Sequence, residues 1–285
     1  MSSANRRKIF VSFDCAFRSL GFCVLEIQGK QALLAQLQRI LRQLETDTFL
    51  EEKQLPDENS NFIRVYASGI ADLCCDDGAI AAAGAIKNAH RLFEFLHNKI
   101  DIPLLQMASE NPDTLFEIEI VIEHQPSSIK IGHSQRVRGI SQQIEAQIVY
   151  HYANWYFAEG KPLRANIVLI SPKQKNILSE RILHSLESFS ANARFVMEKD
   201  CCVSGAAESA APSAKKGRRK PKNVKTRTQR KEPAQYVAGL IWRICDCAIA
   251  KEDWVKSRNL KMALPRSDLA DAFIQILASG AFATI

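Results

Sequence analysis

Apolar and polar residues alternate from Lys8 to Phe13, with Ile9, Val11 and Phe13 on one side. A period of two predicts a strand, which ends at Asp14. After a short turn a second apolar run, Gly21 to Ile27, predicts a hairpin partner, and Asn61 to Ala67 a third strand. Ala79 to Ile100 carries helical spacing, and Pro103 and Pro112 are expected to bound a loop. Phe116 to Ile122 reads as a fourth strand ending at Glu123. Ser134 to Phe157 reads as a long helix with the stripe Val137, Ile140, Ile144, Ile148, His151 and Trp155. Asn166 to Ile170 is a fifth strand, stopped by Ser171 and Pro172. Helices are expected over Gln174 to Ser188, from about Pro233 to Lys251, and from Ser267 to Ser279. Strands followed by alternating helices predict an α/β layered domain, a mixed sheet flanked by helices. One domain spanning 1–285 is expected, with an insert near 31–60, where Gln31 to Leu44 has helical spacing, and a second at about 204–233.

In the last helix Leu269, Ala272, Phe273 and Ile276 form one face, and Asp268 and Asp271 fall together on the adjoining one with Gln275 beside them. Like charges at this spacing repel. A solvated helix edge, with Asp268 favouring the helix N-terminus, accounts for them simply. The alternative is half of a carboxylate cage, which needs partners elsewhere.

With 285 residues and 46% hydrophobic content, the chain can bury a substantial core. No run approaches the ~20 apolar residues of a membrane span, so no membrane partner is expected. MSSANRRKIF lacks the apolar core of a signal peptide, so an intracellular protein is expected. The nucleus and an organelle both fit. The eight cysteines include no CxxC pair, which fits reduced cysteines used as small apolar residues better than a zinc site.

The net charge of +7 is concentrated in one segment. Lys215, Lys216, Arg218, Arg219, Lys220, Lys222, Lys225, Arg227, Arg230 and Lys231 occur without an acidic residue among them. Removing their +10 leaves the remainder at −3. Preceded by alanine-, serine- and glycine-rich sequence, the segment is expected to be a disordered insert that contacts phosphate backbones. A nuclear localisation signal in KKGRRKPK and a solubilising loop are the other readings.

Acidic residues thus recur at element ends: Asp14, Glu123, and the pair Asp268 and Asp271. A carboxylate at the end of a buried strand is unfavourable unless paired or metal-bound. Four converging carboxylates call for a divalent cation. Mg²⁺ takes hard oxygen ligands of this kind, and two such ions roughly 3.5–4 Å apart can drive phosphodiester cleavage.

These residues resemble a family. Asp14–Cys–Ala–Phe–Arg18–Ser–Leu–Gly21 resembles the DxxxRxxG first-strand pattern of RuvC-like Holliday junction resolvases. VIEHQ, with Glu123 and Gln125, is similar to the second motif, and SDLADAF, with Asp268 and Asp271, to the terminal DxxDA helix. The resemblance spans most of the chain apart from the two inserts, and the inserts look more like the poxvirus-type branch of large DNA viruses, which implies a viral replication site in the cytoplasm as a further candidate location. It implies an RNase H-like mixed five-stranded sheet flanked by helices. It also implies a homodimer and Mg²⁺-dependent paired nicking of four-way DNA junctions, with Mn²⁺ able to substitute. Carried over by motif, Asp14, Glu123, Asp268 and Asp271 would hold two ions, and Lys173 or Lys175 would touch the scissile phosphate. Arg18 would hold the first turn. Part of the long helix would lie at the dimer interface. Where bacterial relatives place a junction-opening aromatic, this chain has Pro126, Ser127 and Ser128. His124 and His133 stand nearby as proton-transfer or DNA-contact residues. Two other readings compete: an actin/Hsp70-like ATPase with Asp14 in a phosphate loop, and a non-catalytic DNA-binding protein built around the basic segment.

Overall fold

The alternation of the first strand decides the architecture, because it gives each side of the sheet its own core. The structure, a computed structural model, describes residues 5–15, 19–28, 63–73, 82–124, 134–156, 163–187, 227–244, 251–256 and 263–281. The strands are β1 (Asn5–Cys15), β2 (Ser19–Ile27), β3 (Ile63–Asp72), β4 (Thr114–Glu123) and β5 (Leu163–Ile170). They form one sheet in the order β3-β2-β1-β4-β5. β1 pairs antiparallel with β2 and parallel with β4, β2 is antiparallel to β3, and β4 is parallel to β5. Only β2 opposes the other strands. This is the mixed five-stranded sheet that the sequence implied.

The helices are α1 (Ala82–Leu96), α2 (Ile102–Glu110), α3 (Ser134–Tyr156), α4 (Pro172–Glu187), α5 (Arg227–Ile244) and α6 (Ser267–Ile276). Ile9, Val11 and Phe13 of β1 pack with Ile118, Ile120 and Ile122 of β4 against α1, α2 and α3. Phe10 and Val121 point the other way, into a second core with α4, α5 and α6. Of the stripe on α3, Ile144 and Ile148 are buried in the first core, while His151 pairs with Asp101 at 2.7 Å. No helix among the described residues is long and apolar enough to cross a membrane.

Three local expectations change. Pro103 does not open a loop: it lies in the first turn of α2, where a missing N–H and a fixed φ are tolerated. A π-helical turn, His97–Asp101, joins α1 to α2 without a break. α5 begins at Arg227 and runs through Pro233, so the last residues of the basic segment are helical rather than disordered. A short ribbon, β6 (Trp254–Lys256) and β7 (Ala263–Pro265), precedes α6 and is too brief for a periodicity to show. The insert near 31–60 and residues 204–226 lie outside the described residues.

Away from the carboxylate-bearing strand ends, Arg7 makes two hydrogen bonds to Glu26, at 2.9 and 2.6 Å, and the Tyr66 hydroxyl donates a third at 2.8 Å. Burial alone would raise the Glu26 carboxyl, but these bonds outweigh it and hold the group below its ordinary value of 4.5. A lowered folded-state value stabilises the fold above the ordinary value and ceases to do so as pH falls through the folded one. Glu26→Gln is therefore expected to lower the melting temperature at neutral pH, at a cost of roughly 1–3 kcal/mol. The gap from the unaltered protein should close as pH falls below 4.5 and through the lowered folded-state value. A gap that stays constant with pH, followed by circular dichroism, would exclude the ion pair as its source.

Candidate active site

β1 and β4 run parallel, and Phe13 is in register with Ile122. One residue further on, Asp14 and Glu123 therefore reach the same end of the sheet on the opposite face. That face is crossed by α6. Asp268, Asp271 and Gln275 recur at three and four residues, so they form one stripe along the helix. Gln275 is fully buried; its Oε1 accepts from Ser12 Oγ at 2.9 Å, and its Nε2 donates to Glu123 Oε2 at 3.3 Å. Ser19 Oγ donates to Asp268 Oδ2 at 2.7 Å. At Gly21, which pairs with Asp14 across the hairpin, an added Cβ would stand 2.2 Å from the Asp268 carbonyl oxygen. The glycine lets the helix backbone rest directly on the strand.

Two lysines enter this acidic centre. Lys175 of α4, 6% exposed, places Nζ 2.5 Å from Glu123 Oε2 and 3.2 Å from Asp271 Oδ2. Lys231 of α5 places Nζ 3.2 Å from Asp271 Oδ2 and 3.5 Å from Asp268 Oδ1. Asp14, 8% exposed, differs from the other acids in that its side chain makes no hydrogen bond or ion pair among the described residues. Burial pushes its carboxyl well above the ordinary value; Lys175 and Lys231 oppose that rise, and Asp271 and Glu123 add to it. Asp268 lies below its ordinary value, because the Ser19 hydrogen bond and Lys231 outweigh the effect of burial. Burial would lower both lysines, but the surrounding carboxylates hold both above their ordinary value.

No protein-family model matches the chain, and no curated protein matches it in sequence. Solved structures that overlap with it include a Thermus thermophilus RuvC structure, 11% identical, with a TM-score of 0.37 over 96% of this chain and 93% of that one. Another is T. thermophilus RuvC in complex with a Holliday junction substrate, 7% identical, with a TM-score of 0.32 over 64% of this chain and 78% of that one.

The fold brings Asp14, Glu123, Asp268 and Asp271 together at one end of the sheet. The solvated-edge account of the helix pair fails for Asp271, which is 4% exposed. Lys175 is buried among the carboxylates rather than facing solvent, whereas Lys173 is exposed. Lys215, Lys216, Arg218, Arg219, Lys220, Lys222 and Lys225 lie outside the described residues, as do Arg18 and His133, and Arg227 opens α5. His124 Nδ1 lies 2.9 Å from Glu145 Oε1. The sequence reading assigned Lys231 to the basic insert and missed its place in this centre. A signal existed: the buried positions Ala234, Val237, Ala238 and Ile241 have helical spacing, and one turn back from them lies Lys231.

Hard carboxylate oxygens, one of them buried with no side-chain partner among the described residues, suit a divalent cation such as Mg²⁺. The spacing is less complete. Among the described residues no three His, Cys, Asp or Glu side chains are grouped to hold a metal as they stand. The ammonium groups lie between the carboxylates instead.

Proposed function

We propose that this chain is a Mg²⁺-dependent endonuclease that nicks four-way DNA junctions. The observation that carries the reading is the buried Asp14 carboxylate, whose side chain has no hydrogen-bond or ion-pair partner among the described residues, set against Glu123 and Asp271 with two ammonium groups beside them. A purely structural cluster has no need of the unpaired member, since a buried charge without a partner destabilises the fold. When bound, a hard divalent cation polarises a phosphodiester oxygen and makes water a stronger nucleophile at neutral pH. Asp14, Glu123 and Asp271 would hold it. Gln275 fixes Glu123 against Ser12. Lys175 and Lys231 supply positive charge for the scissile phosphate once its oxygens compete for them. The choice of four-way DNA as substrate is supported by the three sequence motifs in order and by the basic run that leads into α5. A homodimer, with two such centres related by a two-fold axis, follows from paired nicking.

A second reading has its own support. Lys175 and Lys231 neutralise part of the acidic cluster without any metal, as expected of a non-catalytic DNA-binding protein. Incubation with Mg²⁺ and a synthetic four-way junction, beside linear duplex and RNA–DNA hybrid, separates the two. Symmetric nicks in the junction support the nuclease. Binding without nicking at any Mg²⁺ or Mn²⁺ concentration supports the alternative, and preferential cleavage of the hybrid removes the junction assignment.

Deleting residues 215–225, which leaves Lys231 and the helix intact, is expected to weaken junction binding. The salt dependence should also flatten, its log–log slope falling by roughly 0.9 for each phosphate that is no longer neutralised. An unchanged slope across a salt titration would mean that the segment does not touch the DNA.

A further inference from the structure

From the distribution of hydrogen bonds over the carboxylate oxygens, we infer that the centre takes a single divalent cation, with Lys231 in the place of a second. The inference deepens the nuclease reading and rests on it. Lys175 and Gln275 both meet Oε2 of Glu123, and both lysines meet Oδ2 of Asp271. Among the described residues, Glu123 Oε1, Asp271 Oδ1 and both oxygens of Asp14 receive no hydrogen bond. Those three carboxylates each keep an oxygen for a ligand bond.

Asp268 does not. Its Oδ2 receives Ser19 Oγ at 2.7 Å, and its Oδ1 receives Ser267 Oγ at 3.0 Å and lies 3.5 Å from Lys231 Nζ. Both of its oxygens are already engaged by the chain. It is a positioning residue that ties Lys231 beside Asp271, so the ammonium stands where a second cation bridging Asp268 and Asp271 would have to stand. The charge count agrees. With Asp14 ionised, as a ligand must be, four carboxylates and two ammonium groups leave −2, which one divalent ion neutralises. A second ion in the absence of DNA would leave a buried excess of +2, which is unfavourable without further anions.

Mn²⁺ binding to the full chain without DNA tests this, by calorimetry for stoichiometry and by electron paramagnetic resonance for coupling between ions. The unaltered protein is expected to bind one Mn²⁺ per chain, with the spectrum of an isolated ion. Asp14→Asn should weaken that binding by at least about tenfold, since even the partners of metal ligands are worth that much. Asp268→Asn should still bind one Mn²⁺ with nearly unchanged affinity. Lys231→Met should admit a second ion and give the spectrum of a coupled pair. Melting curves in chelator establish that each variant is folded, with Lys231→Gln replacing Lys231→Met if the latter is not.

A coupled pair in the unaltered protein, a single ion in both Lys231 variants, or loss of binding in Asp268→Asn would each overturn the inference. Two bound ions with junction nicking would leave the nuclease reading standing. One bound ion without nicking would remove that reading and keep the stoichiometry. No bound ion at millimolar Mn²⁺ would remove both.

Discussion

Asp14→Asn is expected to cut Mg²⁺-dependent junction nicking by at least about a hundredfold, because a ligand should matter no less than the outer groups that orient ligands. The same variant should melt at a higher temperature than the unaltered protein in chelator at neutral pH. The sign follows from burial, which raises the Asp14 carboxyl in the folded state well above its ordinary 3.8. Between the two values the folded chain binds more protons than the unfolded one, so stability falls as pH rises through that window. An amide carries no such dependence. The two proteins should melt alike in acid and diverge as pH rises. Junction affinity should hold or strengthen, since one negative charge facing the phosphates is gone. Near-normal nicking by Asp14→Asn, with folding intact, would remove the carboxylate centre as the source of activity. Amides at Glu123 and Asp271 are expected to impair nicking in the same way but to lower stability, because each of those carboxylates is paired with Lys175 and its loss leaves a buried ammonium short of a partner. At Asp268 the amide should impair nicking through Lys231, without the gain in stability.

Gly21→Ala should have the largest effect on the fold for its size. The added methyl would sit 2.2 Å from the Asp268 carbonyl oxygen, 2.5 Å from its carbon and 3.2 Å from the Leu269 nitrogen. All three are backbone atoms, so no side chain can swing aside. Either α6 lifts from β2 or the hairpin distorts, at about 3 kcal/mol or more. Because α6 carries Asp268 and Asp271, nicking should fall with stability. Urea unfolding followed by fluorescence measures the first effect and the junction assay the second. A variant within about 0.5 kcal/mol of the unaltered protein would behave like an ordinary surface substitution and contradict the close approach. The close packing also gives the glycine of the first-strand pattern a steric reason.

Elements with a repeating signal were legible in the sequence. Ile9, Val11 and Phe13 announced one face of the sheet, and Leu269, Ala272, Phe273 and Ile276 announced the buried face of α6. The pair Asp268 and Asp271, with Gln275, was visible as a stripe because helix geometry alone puts those positions together. What stayed hidden depends on contacts between distant segments. Ser12 and Ser19 carry no mark in a strand until Gln275 and Asp268 are known to face them. Lys175 looks like any early helix lysine until β4 and α6 close around it. Lys231 was obscured by its neighbours, since a dense basic run suggests solvent and Pro233 suggests a helix start. The helix instead begins earlier and accommodates the proline. Pro103 misled in the same way, because a proline permitted in a helix's first turn is indistinguishable in sequence from one that bounds a loop.

The hydrogen bond between Ser12 and Gln275 joins residues 263 positions apart. It has a consequence for the order of events during synthesis. A nascent chain that has released β1 through α4 holds Asp14, Glu123 and Lys175, but lacks Lys231, Asp268 and Asp271. On the nuclease reading, it should remain inactive until α6 has left the ribosome and docked over Gly21. So non-local a contact also carries a large loop-closure cost, which slows folding. The two halves of the centre lie on either side of residues 188–226. A break there would divide the carboxylate centre between two pieces, and on the nuclease reading each should be inert alone and their reunion should restore DNA cleavage.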